Sequence, residues 1–394
     1  MNLVSPIPGI VKEPAFPEGE YRARLARLWD VMREAGLDAM LVHHPASVFY
    51  FAGNENLHVY DNECVVAPLG GEPTLVVPRI DETRAYLTAW TDRIASVVSD
   101  EDAPGVLAEV LREAGVAGGR IGVEKRVARA AGLSVHVYEG LARALPGATL
   151  VDASGVPERV KLVKSEREIA YLREAGRLTD LGVRAALAVA AEGRADHEIA
   201  AAAYQAMIGA GSDFLAIPAI VNCGPYSGIT HSTHVGRRLA KGDVLFLELG
   251  ACRRRYSSPC VRTASVGPPG PGVRRLAEAS EAAVAGMHAV MRAGATCDEV
   301  ARAGAAGVAR AGDGVRWSGD YGYPVGAGFP PHWGDYSCGI RLGSPMRLQA
   351  GMVFHQPVSL RIPGRFGVGF SDTVLITETG CERLTGTPRT LVTL

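Results

Sequence analysis

The sequence has little of what identifies a disulfide-bonded, zinc-binding or membrane-spanning protein. Its seven cysteines are odd in number, scattered, and nowhere spaced as Cys-x-x-Cys, so neither a disulfide framework nor a structural zinc site is indicated. No uninterrupted apolar run reaches the roughly eighteen residues of a membrane span. Residues 1–20 lack the charged and then apolar segments of a signal peptide. We therefore expect a cytoplasmic protein.

The sequence also lacks an excess of charge of either sign. Lys and Arg number 41 and Asp and Glu number 42, which leaves a net charge of −1 at pH 7. Such a balance gives no reason to expect binding to nucleic acid or to an anionic membrane. The 394 residues, 47% of them hydrophobic, suffice for two domains with cores of their own.

One stretch, residues 230–267, holds the feature that most needs a physical explanation. Its apolar run VLFLELGA is interrupted by a single carboxylate, Glu248, and the segment RRRYSSPCVRTASVG that follows alternates as a hairpin partner strand does. An ionised carboxylate is costly to bury unless it is paired, hydrogen-bonded or metal-bound, so Glu248 is a candidate site residue. The alternative is that Glu248 ends the strand and pairs with a nearby arginine: Arg253, Arg255 or Arg262.

The N-terminal part of the chain alternates between helical and strand patterns, which predicts an α/β domain. Apolar residues at helical spacing before a glycine predict helices over 18–36 and 104–115. Strands are predicted at 37–44, 63–69, 73–78, 120–126 and 148–154, and a turn region at 47–53.

A domain boundary is predicted near residues 156–164. Immediately after it, Ser165 is a plausible helix N-cap with Glu168 three residues on, the spacing of a capping box. Further helices are predicted over 196–211, 272–293 and 297–312, with a strand at 214–224 and a strand-rich, glycine-punctuated final third.

The central stretch resembles the signature of the pita-bread-fold superfamily of prolidase, aminopeptidase P, methionine aminopeptidase and creatinase. His231, Gly242-Asp243, Glu248 and the segment Tyr256–Thr263 fall on that signature. The resemblance covers most of residues 150 to 390. It implies an N-terminal creatinase/prolidase-like α/β domain (1–157) and a C-terminal pita-bread α+β catalytic domain (158–394), in which helices cover a curved antiparallel sheet. It also implies a homodimer.

The metal chemistry of the superfamily is missing from this sequence. Its peptidases bind two metal ions through two aspartates, a histidine and two glutamates, and laying this chain on that frame gives, in order, Glu248, Pro259, Tyr323, Pro357 (or Gln356, one position earlier) and Ser371. Four of these five positions have no metal-binding equivalent. The resemblance thus implies no metal and no other cofactor, and a metal-dependent peptidase is the least favoured function.

A closer resemblance is to ectoine hydrolase and other creatinase-like enzymes, which cleave C–N bonds without metal. It rests on FLELGACRRRY, on the run from Tyr323 to Gly334, on Phe354-His355, and on Ser371 in the last strand. The chain departs from that subgroup after Phe354-His355, where it continues Gln-Pro-Val-Ser-Leu, and at His332, where relatives have aspartate. We therefore expect a small polar substrate, a cyclic amidine or amide, with ectoine one candidate.

The chemistry requires a nucleophile, a proton shuttle and a pocket poor in water. We expect Glu248 to attack carbon or activate water, or to bind a cationic substrate, and His231 to move the proton, as the resemblance implies. His355 is a further acid/base candidate, and Tyr323 a hydrogen-bond donor at the position of the metal-binding histidine.

Candidate substrate-binding residues complete the hypothesis, each with a structural alternative. Arg341 is expected to fix a substrate carboxylate or to pair with Asp335, and His332 and Trp333 to form a pocket wall. The other candidates are Tyr50, His58, Tyr60, His234, Tyr256 and Ser371. Alternative functions are an elimination or rearrangement on the same scaffold, or an inert small-molecule-binding protein.

Overall fold

The computed structural model describes residues 3–57, 63–127, 130–334 and 338–394. The chain forms two compact units, Met1–Leu162 and Val163–Leu394. The first unit includes a short helix, Val156–Lys161, which the predicted boundary between residues 157 and 158 would divide. Val156 and Val160 of that helix pack into the core of the first unit, and so the division falls after the helix.

The first unit is an α/β structure, as the alternation predicts. Its helices are α1 Glu18–Ala35, α2 Pro45–Ala52, α3 Glu82–Thr88, α4 Ala103–Glu113, α5 Val135–Ala144 and α6 Val156–Lys161. Its strands are β1 Ala39–Val42, β2 Cys64–Pro68, β3 Thr74–Pro78, β4 Ile94–Val97, β5 Arg120–Val123, β6 Arg126–Val127, β7 Ala130–Ala131 and β8 Thr149–Asp152. Six strands form one mixed sheet in the order β4-β3-β2-β1-β5-β8.

The predicted turn region at 47–53 is wrong, because most of it belongs to the helix α2. Pro45 occupies the first turn, where its fixed φ suits a helix, and Gly53 ends the helix in a left-handed conformation with φ of 82°. All seven residues from Ala46 to Ala52 are buried. A helix that is buried on every side shows no amphipathic period, which is why its sequence does not look helical.

The second unit is an α+β structure. Its helices are α7 Glu166–Val189, α8 Asp196–Gly209, α9 Pro271–Val290 and α10 Cys297–Val308. The predicted capping box begins α7, with the Ser165 side chain accepting from the N–H of Glu168 and the Glu168 carboxylate accepting from the N–H of Ser165. None of the helices in the described ranges combines the length and the apolar character needed to cross a membrane.

The strands of the second unit form a curved antiparallel arrangement. They are β9 Ile220–Cys223, β10 Val244–Leu249, β11 Cys252–Arg253, β12 Tyr256–Ser257, β13 Cys260–Ser265, β14 Tyr323–Phe329, β15 His332–Gly334, β16 Val353–His355, β17 Val358–Ile362, β18 Phe366–Phe370, β19 Thr373–Ile376, β20 Cys381–Arg383 and β21 Val392–Thr393. The two larger sheets have the orders β21-β13-β10-β9 and β11-β12-β14-β16-β19-β20, and β17 pairs with β18. This is the pita-bread architecture expected from the resemblance.

The two faces of β10 have different neighbours. Leu245, Leu247 and Leu249 lie in the core that also contains side chains of α7 and α8. Phe246 packs instead with Ile220 and Val261. Since side chains alternate along a strand, Glu248 lies on the face of Phe246, away from α7 and α8.

Candidate active site

Glu248 lies inside β10 rather than at its end. It is paired across the sheet with Val261 of β13 and with Ile220 of β9. The other five residues of β10 are buried, and Glu248 alone is partly exposed. A central strand therefore holds one carboxylate that keeps partial exposure to solvent.

The surroundings of Glu248 disfavour its charged form. Burial raises the pKa of Glu248 to about 7, and the positive charge of Arg361 opposes that rise in part. Although the side chain keeps some exposure, the packing around it removes enough water to stabilise the protonated form. In the described ranges no group forms a hydrogen bond or an ion pair with this carboxylate.

The arginines that were alternative partners for Glu248 are engaged elsewhere. Arg253 donates to the carbonyl of Gly211, and Arg255 donates to the carbonyls of Phe214 and Gly328. Arg262 forms a 2.9 Å ion pair with Asp372. The structural explanation of Glu248 as a strand-end ion pair with these arginines is therefore wrong.

The loop that carries the two predicted histidines is attached to the strand beside β10. Asn222 of β9 donates to the carbonyl of Ser232 at 2.7 Å, and the hydroxyl of Thr233 donates to the carbonyl of Ala219 at 3.2 Å. His231 is exposed and has a left-handed backbone with φ of 57°, a conformation that side chains other than glycine adopt at some cost. The loop is thus held along the strand that pairs with Phe246 and Glu248.

His234, three residues after His231, is half-buried. One of its ring nitrogens lies 3.1 Å from the hydroxyl of Thr233. The side chain therefore belongs to the same attached loop as His231.

A second group of predicted residues forms a continuous hydrogen-bonded chain. The indole N–H of Trp333 donates to the Tyr323 hydroxyl at 3.0 Å, and that hydroxyl lies 2.8 Å from Nδ1 of His355. The other ring nitrogen of His355 lies 2.7 Å from Oγ of Ser371. Oγ of Ser371 in turn accepts from the N–H of Val261 at 2.7 Å, and Val261 is the cross-strand partner of Glu248.

His355 is fully buried inside this chain of hydrogen bonds. Burial lowers its pKa to about 3, a shift that Asp372 opposes and Arg262 supports. The imidazole is therefore neutral at physiological pH, with one nitrogen donating and the other accepting. A neutral imidazole between two hydroxyls positions both of them.

Trp333 connects the chain of hydrogen bonds to the end of β10. A Cβ added to Gly250 would lie 2.9 Å from two carbons of the Trp333 ring and 3.2 Å from Cβ of Pro259. Only glycine leaves room for the ring at this position. Pro259, at the position of the second metal-binding aspartate in the resemblance, thus contributes a packing surface.

A buried ion cluster supports the connection between β18 and β19, which carries Ser371. Asp372, which is fully buried, accepts from Arg262 at 2.9 Å, from Arg383 at 2.7 Å and from the hydroxyl of Thr385 at 3.0 Å. Burial alone would raise the pKa of Asp372, but Arg262 and Arg383 hold it below its ordinary value. The charge is compensated, and so this carboxylate is structural.

The residues at the five metal-ligand positions do not fit a dinuclear metal centre. The oxygens of Tyr323 and Ser371 are committed to His355, and Oε1 of Gln356 lies 2.7 Å from a ring nitrogen of His288. Pro259 offers no side-chain ligand. Glu248 is the single carboxylate left, and in the part of the chain that the structure describes no three His, Cys, Asp or Glu side chains are grouped to hold a metal ion.

Three further predicted residues are engaged in structural contacts. Tyr50 is buried in the first unit, where its hydroxyl accepts from Arg27 at 3.0 Å, which leaves little of it for a substrate. Tyr256 is buried and donates to Glu168 at 3.0 Å. Arg341 is exposed and pairs with Asp320 at 2.6 Å, and its alternative partner Asp335 lies outside the described residues.

Three predicted residues remain to be placed. His332 is half-buried at the start of β15, next to the buried Trp333. His58 and Tyr60 lie outside the described residues.

Arg361, which was not predicted as a site residue from the sequence, is the cation whose charge opposes the burial-driven rise in the pKa of Glu248. Arg361 lies in β17, and its guanidinium carbon is 5.0 Å from the ring centroid of Phe246, two residues before Glu248. The sequence contains the same kind of signal for Arg361 as for Glu248. Residues 358–362, VSLRI, are a strand-like segment with a single charged residue.

Comparison with known proteins identifies the family of the chain. The sequence pattern of metallopeptidase family M24 matches residues 170–378, and that of the creatinase/prolidase N-terminal domain matches residues 24–163. The chain belongs to metallopeptidase family M24. That membership places it among hydrolases of the family and accounts for the pita-bread fold.

Relatives of this M24 protein include both hydrolases of small molecules and peptidases. It is 28% identical over 395 residues to the ectoine hydrolase of Halomonas elongata, covering 95% of this chain and 98% of that protein. It is 29% identical over 390 residues to an uncharacterized hydrolase/peptidase of Sinorhizobium fredii, covering 96% and 98%. The structure of the Xaa-Pro dipeptidase from Bacillus anthracis superposes with a TM-score of 0.82 at 22% identity, covering 95% and 100%.

Proposed function

We propose that this M24 protein is a metal-independent hydrolase that cleaves a non-peptide C–N bond of a small polar substrate, a cyclic amidine or an amide. The observation that carries the proposal is Glu248, an accessible carboxylate in a central strand with no partner among the described side chains and with its pKa raised to about 7 by burial. Such a group is near the midpoint of its titration at neutral pH, which suits acid/base or nucleophilic work.

In the proposed reaction Glu248 either attacks the electrophilic carbon or removes a proton from the attacking water. The carbon–nitrogen bond breaks, and the leaving nitrogen takes a proton that His231 supplies. Water provides the oxygen and hydrogen that complete the products, so no oxidant or reductant is required. The attachment of the His231 loop to β9, next to β10, supports this pairing of roles.

The residues found at the other metal-ligand positions support metal independence. At these positions Tyr323 and Ser371 form hydrogen bonds with His355, and Pro259 has no donor atom. These are the changes expected when a site that once held metal is rebuilt from hydrogen bonds. The similarity to an ectoine hydrolase over nearly the whole chain favours a C–N bond outside a peptide.

Turnover by metal-free protein tests the proposal. Chelator-treated protein is incubated with ectoine, related cyclic amidines, creatine and small N-acyl amino acids, and products are measured by mass spectrometry beside the Glu248→Gln variant. We expect a product heavier than its substrate by one water, absent with Glu248→Gln. Hydrolysis of Xaa-Pro dipeptides that requires added metal would contradict the proposal, and turnover without gain of water would indicate a lyase or isomerase.

A further inference from the structure

Two polar side chains, to which no contact with substrate has yet been assigned, lie next to Phe246 on the side of the sheet that carries Glu248. Asn222 of β9 is the cross-strand partner of Phe246, and paired residues of neighbouring strands share a face. Arg361 lies over the ring of the same Phe246, at 5.0 Å from its centroid. Phe246, which is fully buried, thus has an amide, a guanidinium and the Glu248 carboxylate around it.

The backbone of Arg361 is held by hydrogen bonds, but its side chain is incompletely hydrogen-bonded by the described residues. Its N–H donates to the carbonyl of Arg316 at 2.9 Å, and its carbonyl accepts from the N–H of Arg316 at 2.7 Å. The side chain makes one long bond, 3.4 Å, to the carbonyl of Ser359. Its Nε is buried, and no acceptor for it occurs among the described residues.

Asn222 is satisfied on one side of its amide and not on the other. Its nitrogen donates to the carbonyl of Ser232 in the His231 loop at 2.7 Å, which fixes the orientation of the group. Its Oδ1 is buried and has no donor within the described ranges. Asn222 is 2% exposed, and a buried amide with half its capacity unused is uncommon in a folded protein.

The unsatisfied group of Arg361 is a hydrogen-bond donor, Nε, and that of Asn222 is an acceptor, Oδ1. An unpaired buried donor or acceptor lowers the stability of the folded protein. Both groups lie close to Phe246. Glu248 and Arg361 influence each other electrostatically, but no bond of ion-pair length joins them. A molecule that binds between Glu248 and Arg361 would place a cationic or N–H group at Glu248 and an anionic group at Arg361.

We propose that Arg361 and Asn222 are specificity-determining residues that form a subsite beside Glu248 for a substrate carrying a carboxylate, with Oδ1 of Asn222 accepting an N–H of the same molecule. A guanidinium presents N–H groups in the geometry that a carboxylate accepts. The inference rests on the proposed function for the bond that is cleaved, and it specifies what else the substrate carries.

Arg361 takes the role that the sequence suggested for Arg341. Arg341 is exposed and already paired with the carboxylate of Asp320 at 2.6 Å and 3.4 Å. A substrate carboxylate would have to displace Asp320 there. At Arg361 a buried Nε is available without displacing an ion pair.

The test compares binding of matched probes that differ in one group. N-acetylglycine and its neutral counterpart, N-acetylglycinamide, are titrated by calorimetry into the wild-type chain and into Arg361→Gln, Arg361→Lys and Asn222→Ala. Arg365→Gln is the matched control, because Arg365 is an exposed arginine next to β18, the strand paired with β17. Circular dichroism and thermal melting identify any variant that fails to fold.

We expect wild-type protein to prefer N-acetylglycine over its amide, and Arg361→Gln to weaken the carboxylate probe about 10- to 100-fold while leaving the amide unchanged. Arg361→Lys should retain part of the preference, and Arg365→Gln all of it. Asn222→Ala should weaken both probes by a similar factor. Equal binding of the two probes by wild-type protein, or a preference that survives Arg361→Gln, would overturn the inference.

This experiment separates the inference from the proposed function. Binding of the probes requires no C–N cleavage, and a preference that depends on Arg361 would stand even if turnover of every tested compound failed. If turnover succeeds, Arg361→Gln should raise KM for the carboxylate-bearing substrate with kcat nearly unchanged. A loss in kcat alone would show that Arg361 acts in the chemistry instead of in selection.

Discussion

Oγ of Ser371 lies 2.7 Å from Nε2 of His355 and accepts from the N–H of Val261 at the same distance. Ser371 stands at the position where metal-binding relatives of the superfamily have their last glutamate. The serine joins the buried chain of hydrogen bonds to β13, the strand that pairs with β10 next to Glu248. Hydrogen bonds of Ser371 and His355 thus hold this part of the site in shape.

Ser371→Ala is expected to destabilise the second unit by about 1–3 kcal/mol, because it leaves His355 Nε2 and the N–H of Val261 without a partner in a buried place. Thermal or denaturant unfolding measures the change. Ser359→Ala is the control, since Ser359 is also buried but its hydroxyl is not part of this chain. An unfolding free energy unaltered by Ser371→Ala would show that the two bonds contribute nothing.

Glu248→Gln is expected to stabilise the protein, and more so at higher pH. The pKa of Glu248 is raised to about 7, above the roughly 4.3 of an exposed glutamate. Below about pH 4 both the folded and the unfolded state hold the proton, so the shift has no effect. As pH rises to 7 the unfolded state alone releases its proton, and above 7 the folded state bears the full cost.

The difference in unfolding free energy between Glu248→Gln and wild-type protein should therefore grow from pH 4 to pH 8, to on the order of 1–3 kcal/mol. Melting temperatures across this range measure it. Glu174→Gln, at an exposed pair with Arg177, is the control and should show no comparable gain. A wild-type advantage that increases with pH would mean that Glu248 is stabilised as a carboxylate.

The sequence permitted a good prediction of the fold and a partial one of the site. Helix α1, the capping box at Ser165 and the pairing of β10 with β13 follow from local spacing and turn residues, and the structure confirms them. The helix α2 could not be recognised, because a helix buried on all sides lacks a polar face.

In the site, residue types were easier to predict than partners. Glu248 stood out as a charge in an apolar strand, but its relation to Arg361 depends on β17 folding over Phe246, more than one hundred residues along the chain. The burial of His355 likewise depends on Tyr323 of β14 and on Ser371, which lies between β18 and β19. Contacts of such long range leave no local trace in the sequence.

Gly250→Ala is expected to destabilise the protein by about 1–3 kcal/mol and to lower activity, because the added methyl group would meet the Trp333 ring at 2.9 Å. Movement of the ring would strain the bond between its N–H and Tyr323. Gly209→Ala is the control, since an added Cβ there has no neighbour within 4 Å. Equal stability and activity of the two variants would exclude Trp333 as a fixed wall of the site.

Asp372→Asn is expected to cost about 3–5 kcal/mol, because it leaves Arg262 buried beside a neutral side chain. The arginines lower the pKa of Asp372, so its contribution to stability is present above pH 4 and is lost as pH falls through the lowered pKa. The variant should therefore lose its disadvantage in strong acid. Denaturant unfolding at pH 7 and at low pH measures this, and an equal cost at both would contradict the assignment.

The most direct measurement is the rate of C–N cleavage as a function of bound metal. One preparation is stripped with chelator, its metal content is determined by elemental analysis, and its turnover is followed before and after addition of manganese, iron or zinc. We expect an undiminished rate at far less than one metal ion per chain, unaffected by added metal and lost in Glu248→Gln. A rate that disappears with the metal and returns in proportion to it would contradict metal-independent cleavage.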